Sequence, residues 1–428
     1  MSRIKIKNFG PIQDGFLEKD GWMDVKKVTV LIGDQGTGKS TVAKLISVFT
    51  WLEKYIVRKS ITTEQLNVEV FKNLCRRQEI SEYFSYETLL EYEGDAYKFE
   101  YNEKTQSFIV RLNDNNYVNY VLPKIQYVSA ARNLLTILYN ISFKNIVDKD
   151  GNVIDMASNI PIMVKELNEE YINALLEFAN EGFALPIKDT VVFFQERRTF
   201  IKKGNKPISM SAASSGVQSI TPLLLVSHSL SEKVRGDIFD KIQNIDNNLK
   251  CRIEEDLSKI SGDLSDKFKQ LYSFGKGILS IDDDVSLLKN KLKKFIPSSF
   301  INIVEEPEQN LFPNSQQKLI NSLIEYNNST EGNRLIISTH SPYILSSLNN
   351  SILAEEVFEK TGKSIDAYGK ENRVAFADVS AYQLDNGRIY DIKDYETNLI
   401  NAEAIDSCSD IINSDFDRLL DLMPDNEA

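Results

Sequence analysis

The chain has 428 residues, of which 42% are apolar and 26% charged, an ordinary globular composition long enough for two or three domains. Fifty Lys and Arg against 62 Asp and Glu leave a net charge of −12, which excludes coating of nucleic acid by bulk charge and confines any DNA contact to a local basic patch. Three distant cysteines without a CxxC pair argue against a zinc site or disulfide framework and fit a reducing cytoplasm, and two histidines are too few for a His-rich metal centre. The opening MSRIKIKNFGPI lacks the apolar core of a signal peptide, and no apolar run reaches the ~18 residues of a membrane span, so no membrane association is expected.

Residues 1–32 read as strands. Ile4 and Ile6 alternate with Arg3, Lys5 and Lys7, a turn follows at Asn8–Pro11, and Val28–Ile32 is an unbroken run of the kind buried on both faces of a sheet. Next comes Gly33-Asp34-Gln35-Gly36-Thr37-Gly38-Lys39-Ser40, which matches the phosphate-binding pattern G-x-x-x-x-G-K-[ST] between a strand and a helix. Glycines let backbone N–H groups wrap a polyphosphate, and the helix N-terminus adds partial positive charge. Gly33, Gln35, Gly36, Thr37, Gly38, Lys39, Ser40 and Thr41 are therefore the candidate nucleotide contacts, with Lys39 on the β- and γ-phosphates and the Ser40 hydroxyl on Mg²⁺.

Residues 51–120 alternate as strands at Tyr97–Tyr101 and Phe108–Leu112 and suggest a peripheral antiparallel sheet. Beyond Gln126, Arg132 reads either as a phosphate or interface contact or as an ordinary surface arginine. Residues 133–182 read mainly as helix, and Thr190–Phe194 with Arg198–Lys202 as a strand pair. Ser211–Gln218 then opens a helix running to about Leu230. Small hydroxyl residues and Gly216 at a helix start suit an anion, although the segment alone reads equally as a plain cap. Residues 231–295 are charged and helix-like. Basic residues gather at Arg197–Lys206 and Lys289–Lys294, as a solvated face or as a contact for DNA or protein.

A second apolar strand, Phe300–Val304, delivers Glu305 and Glu306, and a third, Arg334–Ser338, leads into the motif Ser338-Thr339-His340-Ser341-Pro342. A nucleotide hydrolase needs one carboxylate for Mg²⁺ and a neighbour to activate water. Glu305 takes the first role and Glu306 the second, while His340 stands where it can bond the γ-phosphate. His228 reads as structural and Asp282–Asp284 as a turn or helix start. The acidic tail carries an amphipathic stretch at Ile411–Leu422.

The order of these motifs resembles ABC-type ATPases of the SMC and RecF-like group. More narrowly, Glu305-Glu306-Pro307-Glu308-Gln309-Asn310-Leu311-Phe312-Pro313 with Gln316, the Ser338–Pro342 motif and the N-terminal I-x-I-x-N-F-G-P-I resemble ATPases related to the overcoming-lysogenization-defect (OLD) proteins. The resemblance implies an α/β fold, an ABC-type P-loop ATPase head with a peripheral antiparallel sheet and a helical insertion. Its parts would be 1–230 and 299–428 as the split head and 231–298 as the inserted lobe.

The resemblance further implies that Ser214–Gln218 stands for the family's signature motif, departing from it at Ser214 and Val217. Ser215 and Gly216 would then contact ATP bound to a second subunit, which requires a homodimer or higher oligomer. Phe312, where the relatives often have His, is expected to be a packing residue. The 88 residues after His340 are too few for the Toprim domain of OLD nucleases. The resemblance therefore extends to stand-alone ATPases of Septu-type and PARIS-type antiphage systems, with ATP and Mg²⁺ as cofactors, a separate HNH or Toprim nuclease as effector and a phage protein as trigger. The alternative is a RecF- or SMC-like repair ATPase acting on DNA ends or gaps.

Overall fold

The structure, a computed structural model, describes residues 2–113, 117, 120–138, 146–147, 153–154, 161–179, 181–187, 189–195, 198–203, 206–242, 245–274, 283–401, 414 and 418. Arg197, Asp282 and most of the amphipathic stretch Ile411–Leu422 lie outside the described residues.

The three apolar runs become neighbouring strands of one seven-stranded sheet. Its order is Gly15–Phe16, Arg388–Asp391, Val379–Asp385, Val28–Ile32, Arg334–Thr339, Ser299–Glu305 and Pro123–Val128. The last five run parallel, with Val30 opposite Ile337 and Glu305 opposite Ser338. Every residue of Val28–Ile32 and Ser299–Glu305 is buried, because both faces are covered. Alternate side chains feed opposite cores. Leu31, Ile303 and Ile336 pack with the helix Lys39–Val57, whereas Val30, Val304 and Ile337 pack with the helices Ser215–Val234, Pro313–Asn328 and Pro342–Thr361.

The core beneath Lys39–Val57 is closed by a five-stranded antiparallel sheet built from Met23–Val25, Ser2–Phe9, Phe84–Glu93, Tyr97–Asn102 and Ser107–Leu112. Phe49 stacks there on Tyr92 and Phe71 at ring separations of 5.1 and 5.3 Å. This is the peripheral sheet that the alternation over 51–120 leads one to expect, and it also recruits the N-terminal strand.

Four helices, Ile238–Ile242, Asn247–Ser258, Gly262–Phe274 and Asp283–Leu292, enclose a small core of their own around Ile253, Leu257, Phe268, Leu271 and Leu288. No described helix is long and apolar enough to cross a membrane.

Two local readings change, and one hairpin is added. Within 133–182 the described helices are only Leu134–Leu138 and Ile162–Glu177, and the short strands Ile146–Val147 and Val153–Ile154 pair between them. The strand pair at 190–203 belongs to a four-stranded sheet completed by Phe183–Ala184 and Lys206–Ser209. The hairpin Val379–Asp391 turns at Asn386-Gly387, both with positive φ (46° and 77°), the geometry that Asn-Gly favours between antiparallel strands. Leu384 of this hairpin backs the phosphate loop closely: a Cβ on Gly33 would lie 2.2 Å from the Leu384 carbonyl oxygen.

The helix Lys39–Val57 is anchored at its far end by Glu53, whose Oε1 accepts the backbone N–H groups of Ala96 and Tyr97 at 2.7 and 2.9 Å. Burial, with the Asp95 carboxylate beside it, pushes the Glu53 carboxyl up to about 7. An unfolded Glu ionises near ~4.3, so the folded chain holds this proton over a pH range in which the unfolded chain has lost it. The stability that neutral Glu53 contributes is complete below that value and is lost as pH rises toward 7. Glu53→Gln keeps the accepting oxygen without the titration. Its melting temperature relative to the parent, measured from pH 5 to 8, is expected to rise across that interval.

Candidate functional site

The shared register of the parallel strands decides where the motifs meet. Ile32, Thr339 and Glu305 end their strands on one edge of the sheet, so Gly33, His340 and Glu306 leave it side by side. In open parallel sheets this carboxyl edge is where ligands bind.

The loop after Ile32 takes its shape from Gly33, Gly36 and Gly38, whose φ values of 146°, 78° and 104° lie where side chains are strained. Gly38 caps the helix in the left-handed conformation, so Lys39 and Ser40 open its first turn. Lys39 is buried and its Nζ donates to the carbonyls of Gly33 and Asp34, both at 2.7 Å. Burial lowers its pKa, opposed by the carboxylates of Glu306, Asp34, Glu308 and Glu305. Gln35, Gly36 and Ser40 are exposed, Thr37 donates its hydroxyl to the Asp34 carbonyl at 2.8 Å, and Thr41 is buried. A left-handed glycine cradle, an ammonium held against it and an exposed hydroxyl at a helix start fit a polyphosphate and its Mg²⁺.

Glu305 and Glu306 are adjacent in sequence but differ in setting. Glu305 ends the strand and is buried, with Oε1 accepting from Tyr127 Oη at 2.6 Å and Oε2 from the Ala130 N–H at 3.1 Å. A carboxylate offers about four acceptor positions, so two bonds leave room for a metal-bound water. Glu306 breaks the strand with φ at +42°, an uncommon conformation for a non-glycine residue. Its N–H donates to the Ser338 carbonyl at 2.8 Å, and its Oε1 lies 3.4 Å from His340 Nε2.

Arg132 holds this turn from beneath. It is fully buried, which overturns its reading as a surface arginine, and its donors are spent on backbone carbonyls instead of standing open to a phosphate or an interface. Its guanidinium donates to the carbonyls of Glu305 (2.7 Å), Glu306 (2.6 Å), Ser219 (3.2 Å) and Ser129 (3.3 Å). Burial lowers its pKa to about 10 against the pull of Glu308, Glu306 and Glu305. One side chain thereby ties the loop bearing both carboxylates to the helix that starts at Ser215.

That helix start packs onto the same loop. A Cβ on Gly216 would fall 2.5 Å from the Asn310 carbonyl oxygen, so only glycine permits the approach. Ser214 and Ser215 are exposed, and Gln218 Nε2 folds back onto the Ala213 carbonyl at 3.0 Å. Phe312 is 73% exposed, which overturns its reading as a packing residue. It stands just before the helix Pro313–Asn328, and Leu311 turns inward instead.

Two side chains that composition and spacing assigned no role also join the cluster. Glu308 Oε1 accepts the His340 N–H at 2.7 Å, and Gln316 Oε1 accepts from Ser341 Oγ at 2.6 Å. Only their place beside Glu306 in the motif could have flagged them. His228 is structural, with its ring 5.3–5.5 Å from those of Tyr326, Phe178 and Phe183, and burial lowers its pKa. Gln126 spends its amide on the Tyr127 carbonyl at 3.0 Å. Of the basic clusters, Arg198 and Lys202 are exposed, while Lys289 pairs with Asp237 at 3.6 Å.

Residues 1–299 and 284–345 match the AAA ATPase domain family. Among solved structures the chain is similar to an Smc head bound to the C-terminal winged-helix domain of ScpA, at 9% identity over 92% of this chain and 98% of that one, with a TM-score of 0.39. It is similar to the SMC head domain from Thermotoga maritima at 10% identity over 91% and 97%, TM-score 0.33. A bacterial ABC transporter cassette solved as a dimer aligns at 9% identity over 92% and 100%, TM-score 0.28. With TM-scores below 0.5, no residue role passes from these structures to this chain. No curated protein matches it.

Removing the guanidinium takes a charged donor from four carbonyls, those of Glu305, Ser219 and Ser129 in buried bonds and that of Glu306 in a part-buried one. Arg132→Met is expected to destabilise the chain by roughly 3 kcal/mol or more, since a bond to a charged group is worth about 1.5–3 kcal/mol. Chemical denaturation of the variant and its parent measures the difference.

Proposed function

The chain belongs to the AAA ATPase domain family, and from that membership we propose that it hydrolyses ATP at the carboxyl edge of its central sheet. The observation that carries this reading is the convergence of residues distant in sequence. Glu306 lies 3.4 Å from His340, and the Lys39 ammonium at the adjoining loop feels the carboxylates of Glu305, Glu306 and Glu308.

The roles follow from placement. Gly33, Gln35, Gly36, Thr37, Gly38, Lys39, Ser40 and Thr41 form the triphosphate cradle. Ser40 and Glu305 would hold Mg²⁺, which supplies charge neutralisation on the phosphates. Glu306, half-exposed beside His340, accepts the proton of the attacking water while His340 bonds the γ-phosphate. Water adds to the γ-phosphorus as the bond to the bridging oxygen breaks, giving ADP and phosphate.

Ser215 and Gly216 serve a second copy. Their helix start packs on the loop after Glu306, with the Ser215 hydroxyl exposed and available to a neighbouring nucleotide. ATP would close a homodimer or higher assembly and hydrolysis would reopen it. The parts are a split head, 1–230 and 299–428, and a helical lobe, 231–298, whose separate core suits a recognition or assembly surface.

The motif Glu305–Pro313 supports a narrower reading as a cytoplasmic OLD-like ATPase. It would answer a phage protein and control a separate HNH or Toprim nuclease. Stimulation of turnover by bare DNA would instead favour a repair ATPase of the RecF or SMC type, contacting DNA through a local basic patch.

Lys39→Ala is expected to abolish binding of a fluorescent ATP analogue. Glu306→Gln is expected to bind ATP, to lose turnover by about 100-fold or more and to accumulate as a dimer in light scattering with ATP. Unchanged turnover in Glu306→Gln would refute its assignment.

A further inference from the structure

A third carboxylate stands at this edge of the sheet. Glu308 comes back from the turn after Glu306, and its Oε1 accepts the backbone N–H of His340 at 2.7 Å. The parallel ladder between Arg334–Thr339 and Val28–Ile32 ends at the pair Thr339 and Ile32. His340 lies one residue past that pair, where no strand neighbour takes its N–H, and Glu308 supplies the missing acceptor.

The adjoining residue is held from the same loop. Ser341 Oγ donates to Gln316 Oε1 at 2.6 Å, and Gln316 Nε2 donates to the Leu311 carbonyl at 3.0 Å. Two consecutive residues of the His340 turn are thus gripped by the segment that begins with Glu306. The other Glu308 oxygen, Oε2, is buried and has no hydrogen-bond partner among the described residues. Burial of a carboxylate in this half-satisfied state is costly, and a surface glutamate would avoid it.

We propose that Glu308 is a positioning residue of the ATPase site. It fixes the His340 backbone so that the imidazole stands against Glu306, a role resting on the assignment of those two residues to hydrolysis. Glu308 acts through the place of its accepting oxygen and not through its charge. Aligned reacting groups are sensitive to displacements on the order of 1 Å, and past the end of its strand the His340 N–H is held by this one bond.

Two conservative variants of the full chain separate position from charge. Glu308→Gln keeps an oxygen where Oε1 stands and loses the charge. Glu308→Asp keeps the charge and is one methylene too short to reach the His340 N–H. The chain has only two histidines, so histidine-selective NMR resolves both rings, and His340→Ala identifies the His340 signals by their loss.

Glu308→Gln is expected to leave the His340 signals in place and kcat within about 3-fold of the parent. Glu308→Asp is expected to shift the His340 signals, to leave those of His228 in place as a sign of an intact fold, and to lower kcat by about 10-fold or more. Because His340 also bonds the γ-phosphate, its affinity for a non-hydrolysable ATP analogue should fall no further than that of His340→Ala. Combining Glu308→Asp with His340→Ala should cost no more than His340→Ala alone.

The reverse pattern, a slow Glu308→Gln and an active Glu308→Asp, would overturn the proposal in favour of a charge role. Unmoved His340 signals in Glu308→Asp would also overturn it. Failure of the underlying assignment looks different: His340→Ala would then turn over at the parent rate.

Discussion

The register of the parallel central sheet is the constraint on which the rest depends. Because Val30 lies opposite Ile337 and Glu305 opposite Ser338, three strands end at one level and their loops open onto one edge. A displacement of one residue would turn Leu31, Ile303 or Ile336 into the wrong core and move a loop off the site at the same time. Burial on both faces is therefore also what aligns Gly33, Glu306 and His340.

Where the ladder ends, the backbone carbonyls and N–H groups lose their strand partners. The structure answers with side chains: Arg132 takes the carbonyls of Glu305 and Glu306, and Glu308 takes the N–H of His340. Arg132 also reaches Ser219, one turn into the helix that starts at Ser215. The carboxylate loop and that helix start are consequently one packed unit, reinforced by the contact between Gly216 and Asn310. Glu306 holds its left-handed conformation inside this unit, where its own N–H is bonded to Ser338.

Much of this was legible in the sequence because the signals are local. A glycine-rich turn between an apolar run and a helix specifies phosphate-binding geometry through backbone rules alone, and Gly33, Gly36 and Gly38 adopt the positive φ that only glycine takes readily. Apolar runs ending in Glu-Glu and Ser-Thr-His likewise mark buried strands and the polar turns at their ends. Arg132 was not legible, since its partners at 219, 305 and 306 are distant and its role depends on burial. Phe312, expected from the resemblance to pack, is exposed, and its neighbour Leu311 packs against the core instead. The Asn386-Gly387 hairpin carried a clear turn signal, but its position behind Gly33 comes only from sheet order.

The central strands and the polar turns that end them are readable residue by residue, with the chemistry those turns could carry: a glycine-rich turn of phosphate-binding pattern, paired carboxylates, a histidine after a buried strand. These arise from backbone preference, spacing and polarity within a few residues. Which groups meet, and what holds each charge, depends on how the strands and cores are assembled. The proximity of Glu306 to His340, the burial of Arg132 under both carboxylates and the bond from His340 to Glu308 arise from strand register and the packing of two cores, and both join residues far apart along the chain.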